Sequence, residues 1–161
     1  MVACSSEPVL VSLEGDLDGT AAEEKAVEPY AKPAGVFVDV AYLGGRLWRE
    51  AQGEVELQMG QIQRKVEHER DGVEFELDRG RVWVVEGEIQ MLRVELPYAM
   101  RRSQALESIG LPAQVREWFG NRRDWVTRHS AGFDRIRMGR EEADSELVLW
   151  VEARKFNGRR R

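Results

Sequence analysis

The stretch Val73–Leu96, VEFELDRGRVWVVEGEIQMLRVEL, decides how this chain folds. Its first five residues alternate cleanly, with Val73, Phe75 and Leu77 on one side and Glu74 and Glu76 on the other. A period of two belongs to a strand with one buried and one wet face. Asp78-Arg79-Gly80 then turns the chain, and RVWVVEG and EIQMLRVEL supply two further apolar runs. Upstream, QIQRKVEHE alternates too and leads into Asp71-Gly72, a dipeptide that favours tight hairpin turns. Three or four antiparallel strands in a meander is the simplest arrangement of these runs.

Other elements follow on either side. GVFVDVAYL, residues 35–43, alternates briefly and reads as a strand or extended segment. Across residues 45–59, Leu47, Trp48, Ala51, Val55 and Met59 recur at helical spacing, and Gly60 suits a helix stop. After Pro97, Ser103 is placed to cap a short helix, SQALESIG, ended by Gly110. Pro112 suits the first turn of a second helix, PAQVREWF, ended by Gly120. Residues 124–130, DWVTRHS, fit a helix or a strand, whereas GFDRIRMGRE and ELVLWVEARKF read as strands joined by the polar EEADS loop. The expected fold class is α+β: antiparallel sheet with a few short helices packed on one face. One domain is expected over residues 35–161, subdivided at 35–97 and 98–157 if the halves fold as tandem units. Phe75, Leu77, Val82, Val84, Leu147, Leu149 and Val151 are the expected core of the sheet.

Residues 1–34 differ in composition. They hold three of the five prolines, seven acids and two lysines, with VLVSL at residues 9–13 as the one apolar patch. Such a segment buries too little apolar area to offset the entropy of ordering it, so a flexible acidic tether is expected. Within it, Glu14, Asp16, Asp18 and Gly19 match positions of a calcium-binding EF-hand loop, but Lys25 stands where the bidentate glutamate belongs. A cation there repels calcium, and no metal site is expected.

The formal net charge of −5 conceals a division. Residues 1–100 carry 20 acids and 10 bases, for −10, and residues 101–161 carry 9 acids and 14 bases, for +5. The expected use of this asymmetry is complementarity between the halves, with Arg122 and Arg123 pairing with acids of the first half. The second use is a partner surface. Arg101, Arg102, Arg116, Arg122, Arg123, Arg128, Arg135, Arg137 and Arg140 fall within 40 residues, with Trp118, Phe119 and Trp125 among them. Guanidinium forks suit phosphates and carboxylates. From this group Arg101, Arg102, Arg122, Arg123, Trp125 and Arg128 form the candidate partner-binding set.

The amino end carries a different signal. Cys4 is the single cysteine, in Val2-Ala3-Cys4-Ser5-Ser6, and this run resembles the lipobox end of bacterial lipoproteins. The resemblance implies lipidation of Cys4, a polar leash after it, and attachment to the cell envelope by that lipid. A lipobox follows a basic and an apolar segment, so the resemblance also implies such a segment upstream of Met1.

Catalytic signatures are absent: the chain has no GxSxG, GxxxxGK, HExxH or CxxC pattern. His68 and His129 both stand in charged, alternating contexts and read as surface histidines. The acid pairs Glu74/Glu76 and Glu86/Glu88 read as a solvated sheet face. No catalytic residue and no cofactor is expected. The sequence therefore points to a non-enzymatic, envelope-associated binding or assembly module with a protein partner. It would touch the membrane only through Cys4. The alternative is a cytosolic protein whose arginine-rich second half grips an anionic partner such as nucleic acid.

Overall fold

A computed structural model of the protein describes residues 29–114 and 117–155. The chain divides between Lys32 and Pro33 into two units, of which the first is described only over residues 29–32. Cys4, the Glu14–Lys25 pattern and nearly all of the expected tether thus lie outside the described residues.

The second unit is α+β and contains one eight-stranded antiparallel sheet. Its first half begins with helices α1 (Val40–Leu43) and α2 (Trp48–Met59). Four strands follow as a meander: β1 (Ile62–His68), β2 (Gly72–Leu77), β3 (Gly80–Val85) and β4 (Glu88–Arg101). The second half repeats the plan with α3 (Arg102–Ser108), β5 (Phe119–Gly120), β6 (Asp124–Ser130), β7 (Phe133–Arg140) and β8 (Leu147–Arg154). The order across the sheet is β1-β2-β3-β4-β8-β7-β6-β5, so the last strand of each half lies beside the other at the centre. β4 runs through position 97 without a break, as Pro97 sits at an exposed, irregular stretch where the β4–β8 register shifts.

One cross-strand row defines the inner face. Phe75, Val82, Leu92, Ala153, Ile136 and Thr127 lie opposite one another from β2 to β6, and all six are buried. The helices cover this face. Ala51, Val55 and Met59 of α2 and Ala105 and Leu106 of α3 join the same apolar core. Trp48 stacks on Phe75, with ring centroids 4.3 Å apart.

Four local readings change. Val40–Leu43 is a helical turn instead of a strand, because Asp39 caps it: Tyr42 N donates to Asp39 Oδ1, and Asp39 N donates to Gln58 Oε1. The third helix begins at Arg102, with Arg101 at its cap position and Ser103 inside the first turn, since Arg101 N donates to Gln104 Oε1. Residues 112–114 are not helical, and Phe119–Gly120 is a strand. There Asn121 Oδ1 accepts from Arg123 N and Asp124 N and closes the β5–β6 hairpin. Leu149 is 38% exposed whereas Val148 is 0% exposed, because the β7–β8 register shifts between Gly139 and Arg140 and reverses the phase of the strand there.

Candidate functional site

The outer face of the sheet carries the residues that alternate out of phase with the core. One row across it reads Arg64, Glu76, Arg81, Arg93, Glu152, Arg137, Val126 and Phe119, from β1 to β5. The adjacent row reads Val66, Glu74, Trp83, Met91, Arg154, Arg135 and Arg128. Side chains opposite one another on neighbouring strands share a face, so seven arginines stand on this one.

Two clusters give the face its relief. At the first, on β1–β3, His68 stacks on Trp83 at 4.9 Å between ring centroids. His68 Nε2 lies 3.2 Å from Glu74 Oε1, and an Arg81 guanidinium nitrogen lies 3.3 Å from Glu74 Oε2. Glu74 is buried by these neighbours, although its strand position faces away from the core. At the second, on β4, β8 and β7, Trp150 meets the Arg93 guanidinium 3.9 Å from its ring centroid and that of Arg137 at 5.1 Å. Its indole lies directly over Gly139, where an added Cβ would run into the ring. Arg93 also lies 3.3 Å from Glu95, and Arg137 Nε lies 3.5 Å from Asp124.

The end of the second row is purely cationic. Arg128 is opposite Arg135, and Arg135 is opposite Arg154. The carboxylate of the buried Glu152 lies 3.8 Å from Arg135. Among the described residues, Arg128 and Arg154 have no carboxylate at ion-pair distance. Burial, and then the charges of Arg154, Arg137 and Arg128, press the Arg135 guanidinium below its ordinary pKa, against the opposing pull of Glu152.

The candidate residues fall in three places. Arg128 belongs to the outer face. Arg101 and Arg102 line a cleft of about 1030 Å³ where β4 passes into α3, together with Trp118, Glu146 and Leu147. Beside it Trp125, in register with the buried Met138, has the Arg102 and Arg140 guanidiniums 3.7 and 4.1 Å from its ring centroid. Arg122 and Arg123 sit in the exposed β5–β6 turn, where Arg122 pairs with Asp144 at 3.2 Å. The pairing partners of the second-half arginines belong to the second half: Glu146 for Arg102, Asp144 for Arg122, Glu152 for Arg135 and Asp124 for Arg137. Among the described residues, Arg122 and Arg123 pair with no first-half acid, in contrast to the expected complementarity, and β8 lies between β5–β7 and the first-half strands.

Sequence reasoning passed over Arg81, Trp83, Arg93, Trp150 and Arg154. A signal for them existed: within RVWVV, LRVEL and LWVEAR they alternate against the apolar phase. Among the described residues no three His, Cys, Asp or Glu side chains converge as metal ligands, and no helix is long and apolar enough to cross a membrane. Comparison with protein families, with characterised proteins and with solved structures finds no match.

Proposed function

We propose that the protein is a non-enzymatic binding module and that the outer face of its sheet, on which no helix packs among the described residues, docks another protein. The observation that carries this reading is Trp150, ordered beside Arg93 and Arg137 at the middle of that face. Tryptophan and arginine are the residue types that most often dominate protein–protein binding energy. A ring already held in place loses little further freedom on docking.

The charge pattern favours a protein over a polyanion. Along Arg64, Glu76, Arg81, Arg93, Glu152 and Arg137 the signs are mixed, so a uniformly negative polymer would meet carboxylates as well as guanidiniums. The net charge of −5 opposes its approach from a distance. Binding is favoured over catalysis because Glu74, Glu95, Glu152 and Asp124, acids of this face, each lie against an arginine. The envelope address rests on the lipobox resemblance of Val2–Ser6, and the lipid at Cys4 would tether this module to a membrane. Metabolic labelling with a fatty-acid probe tests it: incorporation lost in Cys4→Ser supports the anchor, and no incorporation in the native protein rejects it.

Site-specific photocrosslinking in the native host tests the docking face. A crosslinker at Val126 or Arg81 should trap one protein, with the adduct lost on Arg93→Glu and Arg137→Glu. The same group at Leu57, exposed on α2, should trap nothing specific. Equal adducts from Leu57 would overturn the reading, and nuclease-sensitive adducts would establish nucleic acid as the ligand instead.

A further inference from the structure

The Arg128–Arg135–Arg154 row does something the rest of the face does not. Elsewhere on the sheet the guanidiniums of Arg81, Arg93 and Arg137 lie against carboxylates. Here three stand abreast on adjacent strands, and among the described residues only Arg135 has a carboxylate at ion-pair distance, at 3.8 Å. Like charges directly opposite one another oppose strand pairing. The row is flanked by Arg137, which Asp124 partly balances, and by the buried Glu152, 3.8 Å from Arg135. A local positive excess therefore persists after every described carboxylate near it is counted.

From this arrangement we infer that the row is a seat for a phosphoryl group, and that the partner docking on the outer face presents one. The inference rests on the reading of that face as the docking surface. Three strand positions span two strand spacings, roughly 10 Å between the outermost α-carbons, so flexible arginine stems bring all three forks onto one anion. A carboxylate is satisfied by a single bidentate fork. A phosphate monoester or diphosphate has the oxygens and at least the double charge to engage two or three forks together. The seat is open, since Arg128 is exposed and Arg135 and Arg154 are half-buried. The source inferred is a phosphorylated side chain of the docking partner, and capture of a free phosphorylated molecule instead is an outcome that the test separates.

The test is an NMR titration of the full chain with inorganic pyrophosphate, and separately with N-acetyl-phosphoserine amide and inorganic phosphate. The backbone amides of Arg128, Arg135 and Arg154 should shift together on one saturating curve. Arg128→Gln with Arg154→Gln should weaken pyrophosphate on the order of tenfold or more, as expected for lost charge-assisted hydrogen bonds. Arg122→Gln, in the distant β5–β6 turn, should leave it unchanged. Tighter capture of the phosphoserine amide than of phosphate identifies a modified side chain as the source, and preference for pyrophosphate identifies a free diphosphate. No shift at the three amides, or equal affinity in the double variant, overturns the seat while leaving the crosslinks from Val126 and Arg81 standing. Loss of those crosslinks with pyrophosphate capture intact overturns the docking reading instead.

Discussion

Trp150 lies across Gly139 on the neighbouring strand so closely that no side chain fits between them. The glycine is therefore the floor on which the ring is laid flat, within reach of Arg93 and Arg137. Gly139→Ala must move the indole or part the two strands. Overpacking of this kind costs about 1–3 kcal/mol. Urea denaturation followed by circular dichroism should show that loss, and a change in tryptophan emission should accompany it. Unchanged stability with unchanged emission would mean the ring is not seated there.

Phe75 joins the two layers, because its ring meets the inner row of the sheet and the stacked Trp48 of α2. Phe75→Ala should destabilise the fold by about 3 kcal/mol, the lost transfer energy and the cavity both counting. A loss of under about 1 kcal/mol would show that α2 closes over the gap.

The phase reversal in β8 gives a sharper contrast. Val148 faces the core completely and Leu149 does not, although Leu149 is the larger residue. Val148→Ala should cost roughly 1–2 kcal/mol, whereas Leu149→Ala should cost under about 0.5 kcal/mol. Equal losses would place the register shift somewhere other than Gly139/Arg140.

These positions also explain what could be read without a structure. Val73 to Leu77, Val82 to Val84 and the runs at 133–140 and 147–154 were legible as strands because alternation is a local property, and the α+β class followed from it. The Leu149 error was not local: a bulge shows only in pairing with a neighbouring strand. The Val40–Leu43 turn was hidden for a similar reason, since its capping aspartate is held by Gln58 from another helix. Pro112 and the apolar spacing of residues 112–119 suit a helix on their own terms. The β5–β6 hairpin overrides them, with Gly120 pressed against the Trp125 ring. At the site, residue types were visible and their convergence was not. Arg93 meets Trp150 only because β4 pairs with β8, a crossing that no short-range pattern announces.

The Arg122–Asp144 pair lies wholly within the second half. Both side chains are largely exposed, and exposed pairs of this sort contribute about 0–1 kcal/mol. Arg122→Ala with Arg123→Ala should therefore change stability by less than about 0.5 kcal/mol and leave pyrophosphate capture as it was. A loss of more than about 1 kcal/mol would show that the turn secures the second half after all.

The cationic row leads to an opposite expectation for Arg154. In the free protein it faces Arg135 directly and gains no described carboxylate in return. Arg154→Gln keeps the aliphatic stem and removes one of three abutting charges. It should raise stability by a few tenths of a kcal/mol at low ionic strength, the scale of a cross-strand charge term. The gain should shrink as salt is added, because a surface repulsion is screened over about 10 Å at 0.1 M. Arg137→Gln should do the reverse, since it gives up Asp124 and a share of the contact with Trp150. The pH dependence has a fixed sign. Arg135 holds its proton less tightly when folded than its ordinary value implies, so this group costs stability at all pH values below the guanidinium range. Relief would come only as pH rose through that range, so between about pH 5 and 9 the Arg154→Gln gain should be flat. Paired melts of native protein and variant across salt and pH check this. A gain that grows with salt, or a loss at low salt, would mean the row is balanced by a partner charge and is not a standing repulsion awaiting an anion.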